Sequence, residues 1–163
     1  MINSIKPNVW QLCFRDFGSC VYLIKLRRDL ILIDTSSKDC EQELLRDLKK
    51  LNISPEEINK IILTHFHHDH IENISLFPNA IIYSRKNINE LDIPEFKIIH
   101  TPGHTREDIC ILYDDILFSG DVIFNDGYIG RTDFPESSPK EMPKSLEKIK
   151  KLNYKILAPG HLI

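Results

Sequence analysis

At 163 residues, 42% hydrophobic and 28% charged, the chain has the size and balance of one globular domain, which excludes a disordered chain, a fibrous repeat and a pair of ordinary domains. A net charge of −3, with Lys and Arg spread along the sequence, argues against a dedicated nucleic-acid binder. No apolar run reaches membrane-spanning length, and Met1 to Trp10 is polar and broken by Pro7, without a signal-peptide core or a lipidation motif, so a cytoplasmic protein with no membrane partner is expected. The four cysteines, Cys13, Cys20, Cys40 and Cys110, show no CxxC spacing and are expected as reduced packing residues, none of them paired for chemistry.

Short β-branched or aromatic segments at Val9 to Phe14, Cys20 to Leu26 and Leu30 to Ile33, separated by turn-like residues, predict an antiparallel meander. Leu44, Leu45, Leu48 and Leu51 then recur at helical spacing, so an amphipathic helix is expected over Lys38 to Leu51, with Ser36 or Ser37 as its N-cap. Ser54-Pro55-Glu56-Glu57 reads as a capped helical turn, and Lys60 to Leu63 as a buried strand running into His65. Further strands are expected at Ala80 to Tyr83, Lys97 to His100, Ile109 to Tyr113 and Ile116 to Phe118, the last two joined as a hairpin across Asp114-Asp115. Leu146, Ile149 and Leu152 mark a second helix beginning near Pro139 or Pro143, and Lys155 to Ala158 is the last expected strand. Strands followed by helices, twice over, predict an α/β domain spanning 1–163, with two sheets packed together and helices outside.

The chemistry is concentrated in Thr64-His65-Phe66-His67-His68-Asp69-His70, where the imidazoles of His65, His67 and His70 and the carboxylate of Asp69 fall within six residues after a strand. On extended backbone His65 and His67 point the same way, while Asp69 and His70, entering a helix, can face a neighbouring point. Divalent metals accept imidazole nitrogen and carboxylate oxygen at nearly the same distance, so His and Asp suffice without thiolate. Thr101-Pro102-Gly103-His104-Thr105, Ser119-Gly120-Asp121 and Pro159-Gly160-His161 each present one further ligand at a strand end running into a Gly-containing turn. Five of the seven histidines, His65, His67, His70, His104 and His161, are thereby candidate ligands.

The order His65-x-His67-x-Asp69-His70, then His104, Asp121 and His161, resembles the metallo-β-lactamase superfamily over nearly the whole chain. The resemblance implies an αββα sandwich of two mixed β-sheets, with one metal held by His65, His67 and His104, another by Asp69, His70 and His161, and Asp121 bridging both. It implies two divalent ions, zinc by default with iron or manganese also compatible, and a small-molecule substrate attacked by a metal-bridging hydroxide, with Asp69 and Asp121 as catalytic residues. Because position 121 is Asp rather than Cys, the chain looks more like glyoxalase II-type (hydroxyacylglutathione hydrolase-like) thioester or ester hydrolases than like the antibiotic-degrading branch. Gly130-Arg131-Thr132-Asp133-Phe134-Pro135 is similar to a segment of compact glyoxalase II-like hydrolases and of persulfide dioxygenases in the same superfamily. The glutathione-thioester hydrolases carry a further helical domain that this sequence, ending at Ile163, does not show.

Two rival readings use the same residues. One is a persulfide dioxygenase with a single iron held by His65, His104 and Asp121, a two-His, one-carboxylate set suited to oxygen activation; the other is a non-catalytic metal-binding domain. Arg131 is a candidate substrate-carboxylate anchor held by Asp133, or else half of a structural ion pair. Asp34 is read either as a residue orienting a ligand His or as a plain turn former. His68 and His100 are expected on the solvent side or packed, not as ligands.

Overall fold

In the computed structural model, which describes residues 1–162, the chain forms two compact units, Met1–Ser84 and Arg85–Ile163. The first is built on a six-stranded mixed sheet: β1 (Ile2–Lys6), β2 (Val9–Leu12), β3 (Val21–Leu26), β4 (Asp29–Ile33), β5 (Lys60–Ile62) and β6 (Ile81–Tyr83), paired in that order. The first four strands run antiparallel and the last three parallel. A parallel pair needs a crossover, and α1 (Glu41–Lys50) supplies the one between β4 and β5. Its apolar stripe works as its spacing predicts: Leu44 and Leu48 are fully buried in a cluster with Leu12, Leu23, Leu32, Ile58 and Ile61. Ile24, Ile31 and Ile33, on the other face of the same strands, are buried as well, so this sheet is apolar on both sides.

The strand Ile2–Lys6 precedes the first expected one. Its Ile-Asn-Ser-Ile-Lys sequence gives only a weak alternation, and pairing with β2 recruits it through a tight turn in which Asn8 takes φ 65°. Continuing the β2–β3 register beyond Leu12↔Val21 sets Cys13 opposite Cys20, and their sulfurs lie 2.7 Å apart. All four cysteines are buried free thiols, as expected, but Cys13 and Cys20 are neighbours, which the sequence spacing did not suggest. The pairing is set by strand register, which spacing along the sequence does not reveal.

The second unit carries a four-stranded sheet, made of β7 (Phe96–His100), β8 (Ile109–Tyr113), β9 (Ile116–Gly120) and β10 (Ile156–Pro159), in the order β10-β9-β8-β7. β7, β8 and β9 form an antiparallel meander, with Asp114 at φ 53° in the expected hairpin. β10 lies parallel to β9 after the crossover helix α3 (Met142–Lys150), which carries Pro143 in its first turn, near where the sequence places the helix start. Met142 and Ile149 of α3 pack with Ile99, Cys110, Leu117 and Val122. Each sheet thus carries its own helix. No helix among the described residues is long and apolar enough to cross a membrane.

This topology sorts the chemistry to strand ends. β4 and β5 are parallel, so the residues after them, Asp34 and His65, leave the same edge of the first sheet. In the second sheet β7, β9 and β10 all run the same way, so the turns bearing His104, Asp121 and His161 leave one edge.

Candidate metal centre

In the first unit, His65 follows β5 after Leu63 and Thr64 and is buried, and His67 precedes α2 (His68–Ile71), which carries the buried Asp69 and His70. His65 sets Nδ1 against Thr64 Oγ1 at 3.1 Å and Nε2 against His67 Nδ1, also at 3.1 Å. Two ring nitrogens that close are spaced like neighbouring ligands of one tetrahedral ion, for which metal–nitrogen bonds of ~2.0–2.1 Å imply a separation of roughly 3.3 Å. The His70 ring packs beside that of His65, with centroids 4.1 Å apart.

Asp34 orients this set. In a left-handed backbone conformation at φ 60°, its carboxylate accepts from the Thr64 amide at 2.8 Å and the Thr64 hydroxyl at 2.7 Å, and lies 2.8 Å from His70 Nδ1. With Nδ1–H donated to a carboxylate, Nε2 of His70 is the acceptor nitrogen, the form a metal takes. The His70 carbonyl is held in turn by the amide and hydroxyl of Thr35, at 2.7 and 3.1 Å. Of the two readings open for Asp34, the structure therefore bears out the orienting one. His68, by contrast, is exposed.

In the second unit, Asp121 Oδ2 lies 3.6 Å from His104 Nε2 and 3.5 Å from His161 Nε2. A single carboxylate oxygen facing two imidazoles suits a shared cationic centre. His104 donates from Nδ1 to the Arg131 carbonyl at 2.7 Å, which turns Nε2 toward Asp121. Ser137 Oγ donates to the His104 carbonyl at 2.6 Å, fixing the backbone beneath the ring. The donors of the two units are imidazoles and carboxylates, with His70 and His104 each engaged through Nδ1, a donor chemistry that suits zinc, iron or manganese.

Asp108 is a site residue that sequence reasoning missed. Its carboxylate accepts from the Thr105 amide at 2.7 Å and the Thr105 hydroxyl at 2.6 Å, locking the turn that carries His104. The Thr-x-x-Asp spacing was the available signal. Burial pushes the Asp108 carboxyl up to about 7, the charge of Asp121 adding to the rise and the Thr105 bonds opposing it. In the metal-free protein the folded state therefore keeps a proton that the unfolded state releases near pH 4. Its stability is expected to fall as pH rises from about 4 to about 7, a slope that thermal melts of chelated protein should show and that Asp108→Asn should flatten.

Arg131 and Asp133 form a two-point ion pair, Nε to Oδ1 at 3.0 Å and Nη2 to Oδ2 at 2.8 Å, and both side chains are largely exposed. The pair holds the guanidinium charged and the Asp133 carboxyl below its usual range. The guanidinium also lies 4.7 Å from the centroid of Phe134, whose ring meets His104 edge-on. Lys148 donates to the His100 carbonyl and the Arg85 guanidinium lies against His100 Nδ1; burial, then these two cations, lower the His100 pKa, which suits a packed residue and not a ligand.

A metallo-β-lactamase superfamily model matches residues 15–92 and 84–161. The chain is 38% identical over 143 residues to a protein of Methanocaldococcus jannaschii named as a probable metallo-hydrolase, covering 80% of this chain and 70% of that one. It is 28% identical over 153 residues to a hydroxyacylglutathione hydrolase of Francisella tularensis subsp. novicida, spanning 81% of this chain but only 58% of that enzyme. Among solved structures, TTHA1623 in a di-iron-bound form superposes with a TM-score of 0.77 at 20% identity, covering 93% of this chain and 91% of that one. ETHE1 from Myxococcus xanthus gives 0.74 at 24% identity, covering 95% and 76%. Two mixed β-sheets flanked by helices, with the His and Asp residues at their strand ends, are the fold of this family, and the chain belongs to the metallo-β-lactamase superfamily.

Proposed function

We propose that this protein is a metal-dependent hydrolase of a small thioester or ester, and that the two donor sets together hold two divalent ions. The observation that carries the reading is the donor set itself: five imidazoles and two carboxylates, in the turns after strands and on the short helix α2, with His70 and His104 fixed through Nδ1 by Asp34 and by the Arg131 carbonyl respectively. In this assignment His65, His67 and His104 hold one ion, Asp69, His70 and His161 the other, and Asp121 both. Once bound, the ions would supply Lewis acidity and a water acidified toward neutral pH. Asp69 and Asp121 would hold hydrogen bonds to a water bound there and orient it, so no serine or cysteine nucleophile would be required. A thiolate leaving group departs without obligatory protonation, which suits a site whose imidazoles are all committed as ligands. The relatedness to hydroxyacylglutathione hydrolases supports thioester chemistry.

The test is metal analysis after expression with iron and zinc both available, followed by turnover on a panel of thioesters and esters. About two ions per chain, with hydrolysis lost on chelation, is the expected result. A single iron with oxygen uptake in place of hydrolysis would move the protein to the dioxygenase reading, and a metal-free protein would overturn the proposal.

We assign Arg131 the anchoring of an anionic substrate group. Its ion pair with Asp133 is exposed, so a substrate carboxylate competes with Asp133 for the same guanidinium face. Arg131→Ala is expected to raise KM for anionic substrates about two- to fivefold, with metal content intact and little change in kcat. An unchanged KM would remove Arg131 from substrate binding.

A further inference from the structure

The Cys13–Cys20 pair lies outside the metal chemistry and is built for a reaction of its own. Cys13 follows β2 and Cys20 precedes β3, directly opposite each other at the loop end of that strand pair. Cys13 spends both backbone groups on the other side: its amide donates to the Met1 carbonyl at 2.9 Å, and its carbonyl accepts from the Met1 ammonium. Facing Cys20, it therefore stands in a narrow pair without backbone hydrogen bonds, where Cα atoms approach to ~4.5 Å and side chains come closest. That separation is within the range a disulfide spans. The sulfurs already lie 2.7 Å apart, buried, with the Gln11 amide 3.9 Å from Cys20 Sγ. Neither other thiol offers this: Cys40 lies against the Asp16 and Phe17 carbonyls, and Cys110 against Thr101 and the Ser119 carbonyl.

The residues between the two cysteines, Phe14 to Ser19, form a loop that is exposed at Arg15, Asp16 and Phe17 and buried at Ser19. Ser19 donates its amide to the Asp69 carbonyl at 3.0 Å, and the Phe17 carbonyl accepts from Ser37 Oγ at 2.5 Å. The loop thus meets the backbone of a residue in the ligand-bearing segment.

We propose that Cys13 and Cys20 are a reversible thiol–disulfide site, oxidised by a peroxide, whose disulfide fixes the Phe14–Ser19 loop against the Asp69 backbone. Cys13 sulfur, as the thiolate, attacks one oxygen of hydrogen peroxide; the O–O bond breaks, hydroxide leaves and takes up a proton to become water, and Cys13 becomes a sulfenic acid. Cys20 sulfur then attacks Cys13 sulfur; the S–S bond forms, the S–O bond breaks, and the Cys20 proton leaves with the hydroxide as a second water. Two electrons pass from the sulfurs to one peroxide. The hydrogen bond from Cys20 lowers the Cys13 pKa, which favours Cys13 as the attacking sulfur.

The experiment treats the wild-type protein with hydrogen peroxide, then counts thiols under denaturing conditions and maps the linked peptides. The count is expected to fall from four to two, through a Cys13–Cys20 link alone, and to return to four with dithiothreitol. Hydrogen exchange at the Ser19 amide is expected to slow in the oxidised protein and to recover on reduction, and Cys20→Ser should show neither the link nor the slowing. Four surviving thiols, or a link through Cys40 or Cys110, would overturn the redox site; a Cys13–Cys20 link with unaltered exchange at Ser19 would overturn the loop-fixing role.

Discussion

Replacing Asp34 by alanine is expected to lower metal affinity by roughly 10–100-fold and to reduce the stability of the metal-free protein by about 3 kcal/mol. The carboxylate is 2% exposed and serves three groups, the Thr64 amide, the Thr64 hydroxyl and His70 Nδ1, so its loss leaves buried donors without their acceptor. Asp34→Asn separates the two effects. Asparagine tolerates the left-handed backbone at φ 60° and keeps an oxygen for the Thr64 amide, so stability should stay near wild type. Its amide nitrogen, however, would face His70 Nδ1 in place of an oxygen. Nδ1 must then accept, the ring proton moves to Nε2, and the nitrogen that should take the metal becomes a donor. A competition titration with a chromophoric chelator measures the outcome. Wild-type metal affinity in Asp34→Asn would show that the His70 tautomer is not set by Asp34.

The candidate ligands were legible in the sequence because a metal site would force unusual residue types into short stretches. His65 to His70 is too dense in imidazole for a packed helix, and His104, Asp121 and His161 each stand beside a glycine at a strand end. The helices were legible for a different reason, the leucine spacing of α1 and Pro143 in the first turn of α3. What the sequence concealed depends on pairing between strands and turns. The β1 strand has little pattern of its own and forms because β2 offers it an edge. Asp108 looks like any loop aspartate until Thr105 is seen to be its partner. The Cys13–Cys20 contact exists only once the β2–β3 register is fixed. Asp34 was half legible, since a strand-end aspartate fits a turn as well as a hydrogen bond to a ligand His, and only the fold brings His70, 36 residues on, to its carboxylate.

Gly130→Ala is expected to disable the second donor set without replacing any of its candidate ligands. A Cβ at this position would stand 1.9 Å from the Asp121 carbonyl oxygen and 3.0 Å from His104 Nδ1, and the nearer obstacle is backbone that cannot rotate away. Something must move, and both available movements are damaging. If the turn after β9 yields, Asp121 leaves its place between His104 and His161. If the Gly130 segment yields, the neighbouring Arg131 carbonyl withdraws from His104 Nδ1 and the ring loses its orientation. Overpacking of this kind costs ~1–3 kcal/mol and more against rigid backbone, so a fall in melting temperature of about 5–10 °C should accompany at least a tenfold loss of metal affinity. Gly127→Ala is the control in the same stretch of chain. Its backbone at φ 79° also disfavours a side chain, at a cost of ~1–2 kcal/mol, but no atom lies within 4 Å of the added Cβ. That variant should lose stability and keep its metal. Equal metal loss in both variants would mean that loop strain governs the centre; loss in Gly130→Ala alone would show that the close approach of Gly130 to Asp121 and His104 is what holds the two ligands in register.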